Sequence, residues 1–231
     1  MNKAILSTEY PQFARRLQEL GYKIIPSEEI PCEMPYERRH ADLQCLIISN
    51  TVFALSCCEG LINALSGEYK VIRCGEGFGV AYPDNVCLNA LQLGDKLICR
   101  IPSLETKVKA YCEQHNIELL HVNQGYAKCS CAVIGDQAVI TADKGIAVSL
   151  EQNNIDVLRI GQGSVRLEGA EYGFIGGATG YDPHNNTLYI CGDIRRHPDY
   201  NRIKGFCDQH NTRIFCLSDD EITDIGGIML C

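Results

Sequence analysis

One short pattern recurs along the chain: the end of a helix, a turn residue, then an apolar strand. Tyr111–His121 (YCEQHNIELLH), Leu150–Ile160 (LEQNNIDVLRI) and Phe206–Cys216 (FCDQHNTRIFC) carry it most clearly. Asn suits the backbone conformation that ends a helix. Leu17–Ile25 and Leu65–Ile72 are weaker copies, which makes five helix–strand units. Hairpin patterns precede three of the helices, at Leu46–Leu55, Cys87–Cys99 and Cys129–Ala142. Their turns are Ser49-Asn50, Gly94-Asp95 and Gly135-Asp136, and apolar residues flank each. A fourth hairpin, Gly173–Asp193, has a longer polar turn through Pro183, His184, Asn185 and Asn186. The fifth is split: Asp224–Cys231 supplies one strand and Lys3–Ser7 the other, followed by a helix over Glu9–Leu20 and a strand over Tyr22–Ile25. A ring of five ββαβ units closed by pairing of the two chain ends explains the split, and closure removes sheet edges. The expected architecture is therefore α/β, a five-bladed propeller forming a single domain over residues 1–231. Its blades fall near 40–74, 84–122, 125–161, 172–217, and 223–231 joined to 1–26.

Composition narrows the setting. Lys and Arg number 21 against 29 Asp and Glu, a net charge of −8. That balance disfavours nucleic acid and anionic membranes, which need a positive field. No stretch approaches a membrane span, and the apolar part of Met1–Ser7 is too short for a secretory signal, so the expected location is the cytoplasm. The 14 cysteines lie inside apolar runs, as at Cys45, Cys99, Cys131, Cys191 and Cys216, or in helical stretches, as at Cys112 and Cys207. With no C-x-x-C and no His pair at zinc spacing, they read as reduced core thiols, and neither a metal nor an organic cofactor is expected. Nothing in the sequence predicts an oligomer.

Gln124–Ser130, Ile140–Ile146 and Tyr172–Gly180 resemble an uncharacterised bacterial family of the pentein, or guanidino-group-modifying enzyme, fold, in which five ββαβ blades surround a pseudo-fivefold axis. The resemblance spans nearly the whole chain and is most specific over 123–180. It implies a Cys nucleophile, a His and carboxylates at the mouth of a central channel, acting on a small cationic guanidino-type ligand. A guanidinium matches carboxylates bidentately, a thiolate attacks its central carbon, and His moves the protons.

The resemblance directs attention to particular residues. Its nucleophile follows G-x-x-x-C, and two positions match: Gly125…Cys129 and Gly227…Cys231. Cys129 is preferred, with Lys128 as a neighbouring cation, although strand alternation would turn Lys128 to the other face. His40-Ala41-Asp42 resembles the H-x-D element that pairs a catalytic His with a guanidinium-binding Asp. Both side chains would share a face of an extended segment, while the adjacent Glu37, Arg38 and Arg39 favour a solvated loop equally well. His115, His121, His184, His197 and His210 read as structural or solvated. Glu168-Gly-Ala-Glu171 is an imperfect copy of an acidic-Gly-Gly-Asp element, and Asn89 and Asn123 are further substrate-binding candidates beside Asp84 and Asp224 at blade openings. The order of blades departs from the characterised enzymes, where the His and Cys blades come late; here they are the first and third, which a permuted ring accommodates. Gly173–Gly180 lacks the P-loop and dinucleotide patterns, so its glycines mark close backbone approach. The expected function is a thiol-dependent hydrolase or amidinotransferase. The alternative is a non-catalytic pentein resembling the ribosome anti-association factor, with Tyr172, Phe174 and Tyr181 as contact residues.

Overall fold

Among residues 2–231, which the computed structural model describes, fifteen strands form five three-stranded sheets. The chain begins with β1 (Lys3–Leu6), α1 (Pro11–Glu19) and β2 (Lys23–Pro26). A one-turn helix, α2 (Ala41–Gln44), leads into β3 (Cys45–Ile48), β4 (Thr51–Leu55), α3 (Glu59–Leu65) and β5 (Lys70–Cys74). The next sheet comprises β6 (Leu91–Leu93), β7 (Lys96–Cys99) and β8 (Glu118–His121), with α4 (Thr106–Gln114) crossing between the last two. A second one-turn helix, α5 (Ala127–Ser130), opens β9 (Cys131–Val133), β10 (Ala138–Thr141), α6 (Lys144–Glu151) and β11 (Asp156–Arg159). Then come β12 (Thr179–Asp182), β13 (Thr187–Ile190), α7 (Tyr200–Gln209) and β14 (Arg213–Cys216), and finally β15 (Met229–Leu230).

Each sheet is an antiparallel pair joined by a helical crossover to a parallel third strand. The fifth pair is made from the two ends: Ala4 faces Leu230, Ile5 faces Met229, and Lys3 and Cys231 exchange both backbone hydrogen bonds. This is the five-bladed α/β propeller of the pentein fold.

Local chemistry explains the repeat. Every crossover helix is followed by one residue with positive φ, namely Gly21, Gly67, Asn116, Asn154 and Asn211. These are the residue types that tolerate the left-handed conformation. Ser49, Gly94, Gly135 and Asn186 do the same in the hairpin turns. Middle strands β4, β10 and β13 are buried along their whole length, whereas the outer strands are half exposed. That is why the middle strands read as unbroken apolar runs. Lys3 in β1 is the exception, buried with its ammonium on Glu68 and over the Tyr69 ring.

Three hairpins start later than their apolar patterns suggest. Cys87, Cys129 and Gly173 precede their first strands, because residues 84–86, 127–130 and 176–178 wind into single helical turns. The glycine-dense segment marks contact between blades. A Cβ on Gly176 would stand 2.2–2.6 Å from the carbonyl oxygens of Lys128, Cys129 and Cys131, and one on Gly180 would meet Ile228 at 2.6 Å.

Ile5 lies at the ring closure, fully buried between Met229 and Ile25. Replacing it with Ala is expected to cost about 2–5 kcal/mol, as large-to-small changes in cores do. Urea unfolding monitored by circular dichroism should show the midpoint fall with an unchanged slope; a loss under about 0.5 kcal/mol would mean that closure contributes little to stability.

Candidate active site

The two one-turn helices open the β3–β5 and β9–β11 sheets, and their side chains meet. His40 precedes α2 and Asp42 lies within it; Cys129 lies in α5. Asn89, just before β6, joins them. Its side-chain oxygen accepts from the amides of Lys128 (2.8 Å) and Cys129 (3.3 Å). Its side-chain nitrogen donates to the Asp42 carbonyl and to Cys129 Sγ, both at 3.1 Å. All of its hydrogen-bonding capacity is thereby used within the protein. Asn89, expected to bind substrate, spends these bonds on the Lys128–Cys129 segment and Asp42.

The Cys129 thiol donates to Asp42 Oδ2 at 2.9 Å. The candidate ligand atoms of His40, Asp42 and Cys129 all lie within 4.8 Å of one another. The three residues are 6%, 0% and 2% exposed, respectively. Asp42 Oδ1 is buried without a hydrogen-bond partner, and no hydrogen bond engages the His40 ring among the described residues. His40 is therefore not in a solvated loop, and although its own backbone is extended, the chain turns helical at Ala41, so the pair does not sit on one extended segment. The backbone holds the pair: His40 N donates to the Glu37 carbonyl and Asp42 N to the Gly226 carbonyl, both at 3.0 Å. Gly226, with φ of 77°, lies so close that a Cβ there would stand 2.2 Å from His40 Cα.

Burial dominates the electrostatics. It lifts Asp42 to about 6, with His40 and Lys128 opposing and Asp224 reinforcing the rise. Burial also pushes the Cys129 thiol well above its ordinary range, and the neighbouring Asp42 and Asp224 charges add to it. Without a ligand, the sulfur is a thiol held by a carboxylate.

Two further acids complete the surroundings. Glu37 is 9% exposed, raised by burial, and accepts from Asn85 Nδ2 at 3.0 Å; the same amide reaches the Tyr126 hydroxyl at 3.1 Å. Asp224 accepts from the amides of Gly226 (2.9 Å) and Phe174 (2.8 Å). The loops opening the second, third and fourth sheets carry Tyr82, Tyr126 and Phe174, stacked in a row with centroids 5.5 and 6.1 Å apart.

Lys128 stands beside Cys129 because α5 is helical, contrary to the alternation of a strand. Its ammonium donates to the Gly176 carbonyl at 3.2 Å, and a Cβ on Gly227 would lie 3.4 Å from both that ammonium and Asp42 Oδ2. Beyond Lys128 the axis opens into a cavity of about 630 Å³ lined by the hairpin turns, including Asn50, Gly94 and Asp136, and by Cys231. The second candidate thiol, Cys231, lines this cavity, whereas His40, Asp42 and Cys129 do not.

Asn123, Glu168 and Glu171 do not join the cluster. Each is exposed on a loop, and Glu168 faces Arg166 at 3.8 Å. Their loops carry polar side chains to solvent, where no burial penalty has to be met. Asp84 is exposed as well. Tyr172, Phe174 and Tyr181 are half-buried, Phe174 within the aromatic row and Tyr181 on Asn186. Glu37 and Asn85 gave no signal in the sequence, since Glu37 opens a charged run; Asp224 was marked only by its place at a blade opening.

Solved structures share this fold. Pseudomonas aeruginosa DDAH, as a cysteine-to-serine mutant complexed with citrulline, is 12% identical with a TM-score of 0.60, covering 94% of this chain and 92% of that one. Campylobacter jejuni agmatine deiminase is 9% identical with a TM-score of 0.52, covering 94% and 86%. An amidinotransferase from Microseira wollei is 9% identical with a TM-score of 0.51, covering 94% and 88%. At such identities the likeness establishes the fold, and the chemistry rests with the side chains. No curated protein sequence matches the chain. The chain belongs to a family of unknown function (DUF6873), whose model matches residues 5–229. No helix among the described residues is long and apolar enough to cross a membrane.

A carboxyl whose pKa rises on folding binds its proton more tightly when folded. Stability therefore falls as pH climbs from the ordinary value of 3.8 to about 6, and stays reduced above that. Asp42→Asn removes the buried charge. It is expected to be more stable than the natural protein at pH 8 by about 2–3 kcal/mol, with the gap closing below about pH 4. Urea unfolding at both pH values checks this; a variant less stable at pH 8 would show that Asp42 is a net stabiliser through Lys128.

Proposed function

We propose that His40, Asp42 and Cys129 form a thiol-dependent active site for a small guanidino or amidino compound. The observation that carries this reading is the buried convergence of a thiol, an unbonded imidazole and a carboxylate with one unpartnered oxygen. A planar cation fits that oxygen, because its N–H groups match a carboxylate and meet an acceptor with nothing else to bind. Asp224 and Glu37 add negative charge around the site, against the nearby ammonium of Lys128. Named relatives in fold, a deiminase and an amidinotransferase among them, support the same substrate class.

The chemistry follows from the placement. A cation seated on Asp42 takes the place of the thiol proton as partner of that carboxylate and lowers the pKa of the sulfur beside it. His40 accepts the thiol proton, Cys129 Sγ attacks the central carbon, and a C–S bond forms. The C–N bond to the leaving amine breaks as His40 returns the proton to that nitrogen. The amidino-thioether is then attacked by water or by an acceptor amine, His40 taking the incoming proton, and the thiol is released. Water gives hydrolysis; an amine gives transfer. Asn89 steadies the sulfur throughout by its 3.1 Å hydrogen bond.

Labelling the native protein with a haloacetamidine, with iodoacetamide as neutral control, tests this reading by mass spectrometry. Cys129 should react faster and saturably with the amidine, by at least about tenfold over the control, and His40→Ala or Asp42→Ala should abolish the preference. If Cys129 stays unmodified while exposed thiols such as Cys57 react with both reagents alike, the catalytic reading falls.

A further inference from the structure

The trio is also a donor set of one nitrogen, one oxygen and one sulfur, and we infer that it binds a divalent thiophilic cation of the zinc class, held by His40, Asp42 and Cys129. The inference is independent of the guanidine chemistry proposed above, since it concerns which ligand the bare trio takes. Thiolate and imidazole select Zn²⁺ or Co²⁺ over Mg²⁺ and Ca²⁺, which prefer all-oxygen shells.

Geometry supports it first. Tetrahedral zinc, bonded at about 2.3 Å to sulfur and about 2.0–2.1 Å to nitrogen and oxygen, holds its ligand atoms roughly 3.3–3.6 Å apart. Here Sγ and Asp42 Oδ2 are 2.9 Å apart and all three groups lie within 4.8 Å. The metal would open the sulfur–oxygen spacing by roughly 0.6 Å, and the other spacings already lie within reach of one ion.

Free valences support it second. Asp42 Oδ1 is fully buried and unpartnered, and the His40 ring makes no hydrogen bond among the described residues. Two donor atoms of an N/O/S set are thus unused, and the third, Cys129 Sγ, gives its proton to Asp42 Oδ2 and accepts from Asn89 Nδ2, a bond that a metal-bound thiolate can keep. The supports are rigid: Asn89 holds both amides of the Lys128–Cys129 segment, and Gly226 packs against His40 Cα. Orientation from such neighbours is what metal sites require.

Charge supports it third. The metal displaces the thiol proton to solvent, so a carboxylate and a thiolate neutralise the dication, and nothing is oxidised or reduced. Asp224 stands near both Asp42 and Glu37 and adds negative charge to the surroundings, while Lys128 opposes it. Three protein ligands leave a fourth position for water or an added ligand, as in open zinc sites. With the sulfur bound to metal, Cys129 cannot attack carbon, so the metal-loaded protein is the form that resists amidine labelling.

Chelator-treated full-length protein titrated with Co²⁺ alone tests the site. A near-ultraviolet thiolate-to-cobalt charge-transfer band with intense visible bands, saturating at one equivalent and bleached by Zn²⁺, is expected. Cys129→Ser should abolish the charge-transfer band, and His40→Ala should weaken Co²⁺ binding beyond the roughly 10–100-fold that losing an outer-shell partner costs. Cys57→Ser and Cys231→Ser should leave it unchanged, which separates this site from the other free thiols. Asp42→Asn, which keeps its shape, serves where another variant does not fold, and should weaken binding to a similar degree. No band, or a band untouched by these three substitutions, overturns the inference. Cobalt binding without amidine labelling would keep the metal site and remove the guanidine reading; labelling without cobalt binding would do the reverse.

Discussion

The pairing of β15 with β1 is the constraint on which both the ring and the site depend. The mutual backbone hydrogen bonds of Lys3 and Cys231 close the last sheet. Closure fixes the preceding segment, Asp224–Gly227, against the start of α2. There the Gly226 carbonyl takes the Asp42 amide, and the bare Cα of Gly226 packs against His40. Asp224 accepts the Phe174 and Gly226 amides and thereby ties the fourth sheet to the fifth. A ring with that seam open would lose the wall that holds His40 and Asp42 in place.

Within the closed ring, burial sets the chemistry. A carboxylate, a thiol and an imidazole are enclosed together, where charge is costly and each waits for a partner. The thiol rests protonated on Asp42, and Asn89 keeps it in register by clasping two successive amides. An arriving cation, organic or metallic, supplies the missing charge, and the buried acids favour it. The same residues thus suit two ligand classes for one electrostatic reason. What distinguishes the two is the direction of bonding, since a guanidinium donates hydrogen bonds whereas a metal accepts lone pairs.

Much of the fold was legible because it rests on local rules. Asn and Gly after each helix, short polar hairpin turns and buried apolar middle strands all follow from backbone conformation and strand burial, and all repeat. The pairing of the chain ends was legible as the completion of that repeat. Strand starts at Cys87, Cys129 and Gly173 were misplaced, because a short apolar run does not distinguish a strand from the helical turn before it. That turn matters, for it brings Lys128 and Cys129 to the axis together.

Residue patterns along the chain determined the ring of five units, and the family resemblance they carry marked Cys129, and His40 with Asp42, as two motifs. Tertiary structure alone decided that those motifs meet, that Cys231 lines a cavity they do not share, and that Asn123, Glu168 and Glu171 stand apart in solvent. It also decided that Glu37, from a charged run that reads as a solvated loop, is buried against Asn85. The reason is physical. Turns and periodicity are encoded by neighbours in sequence, whereas burial and convergence are properties of five blades closing on one axis.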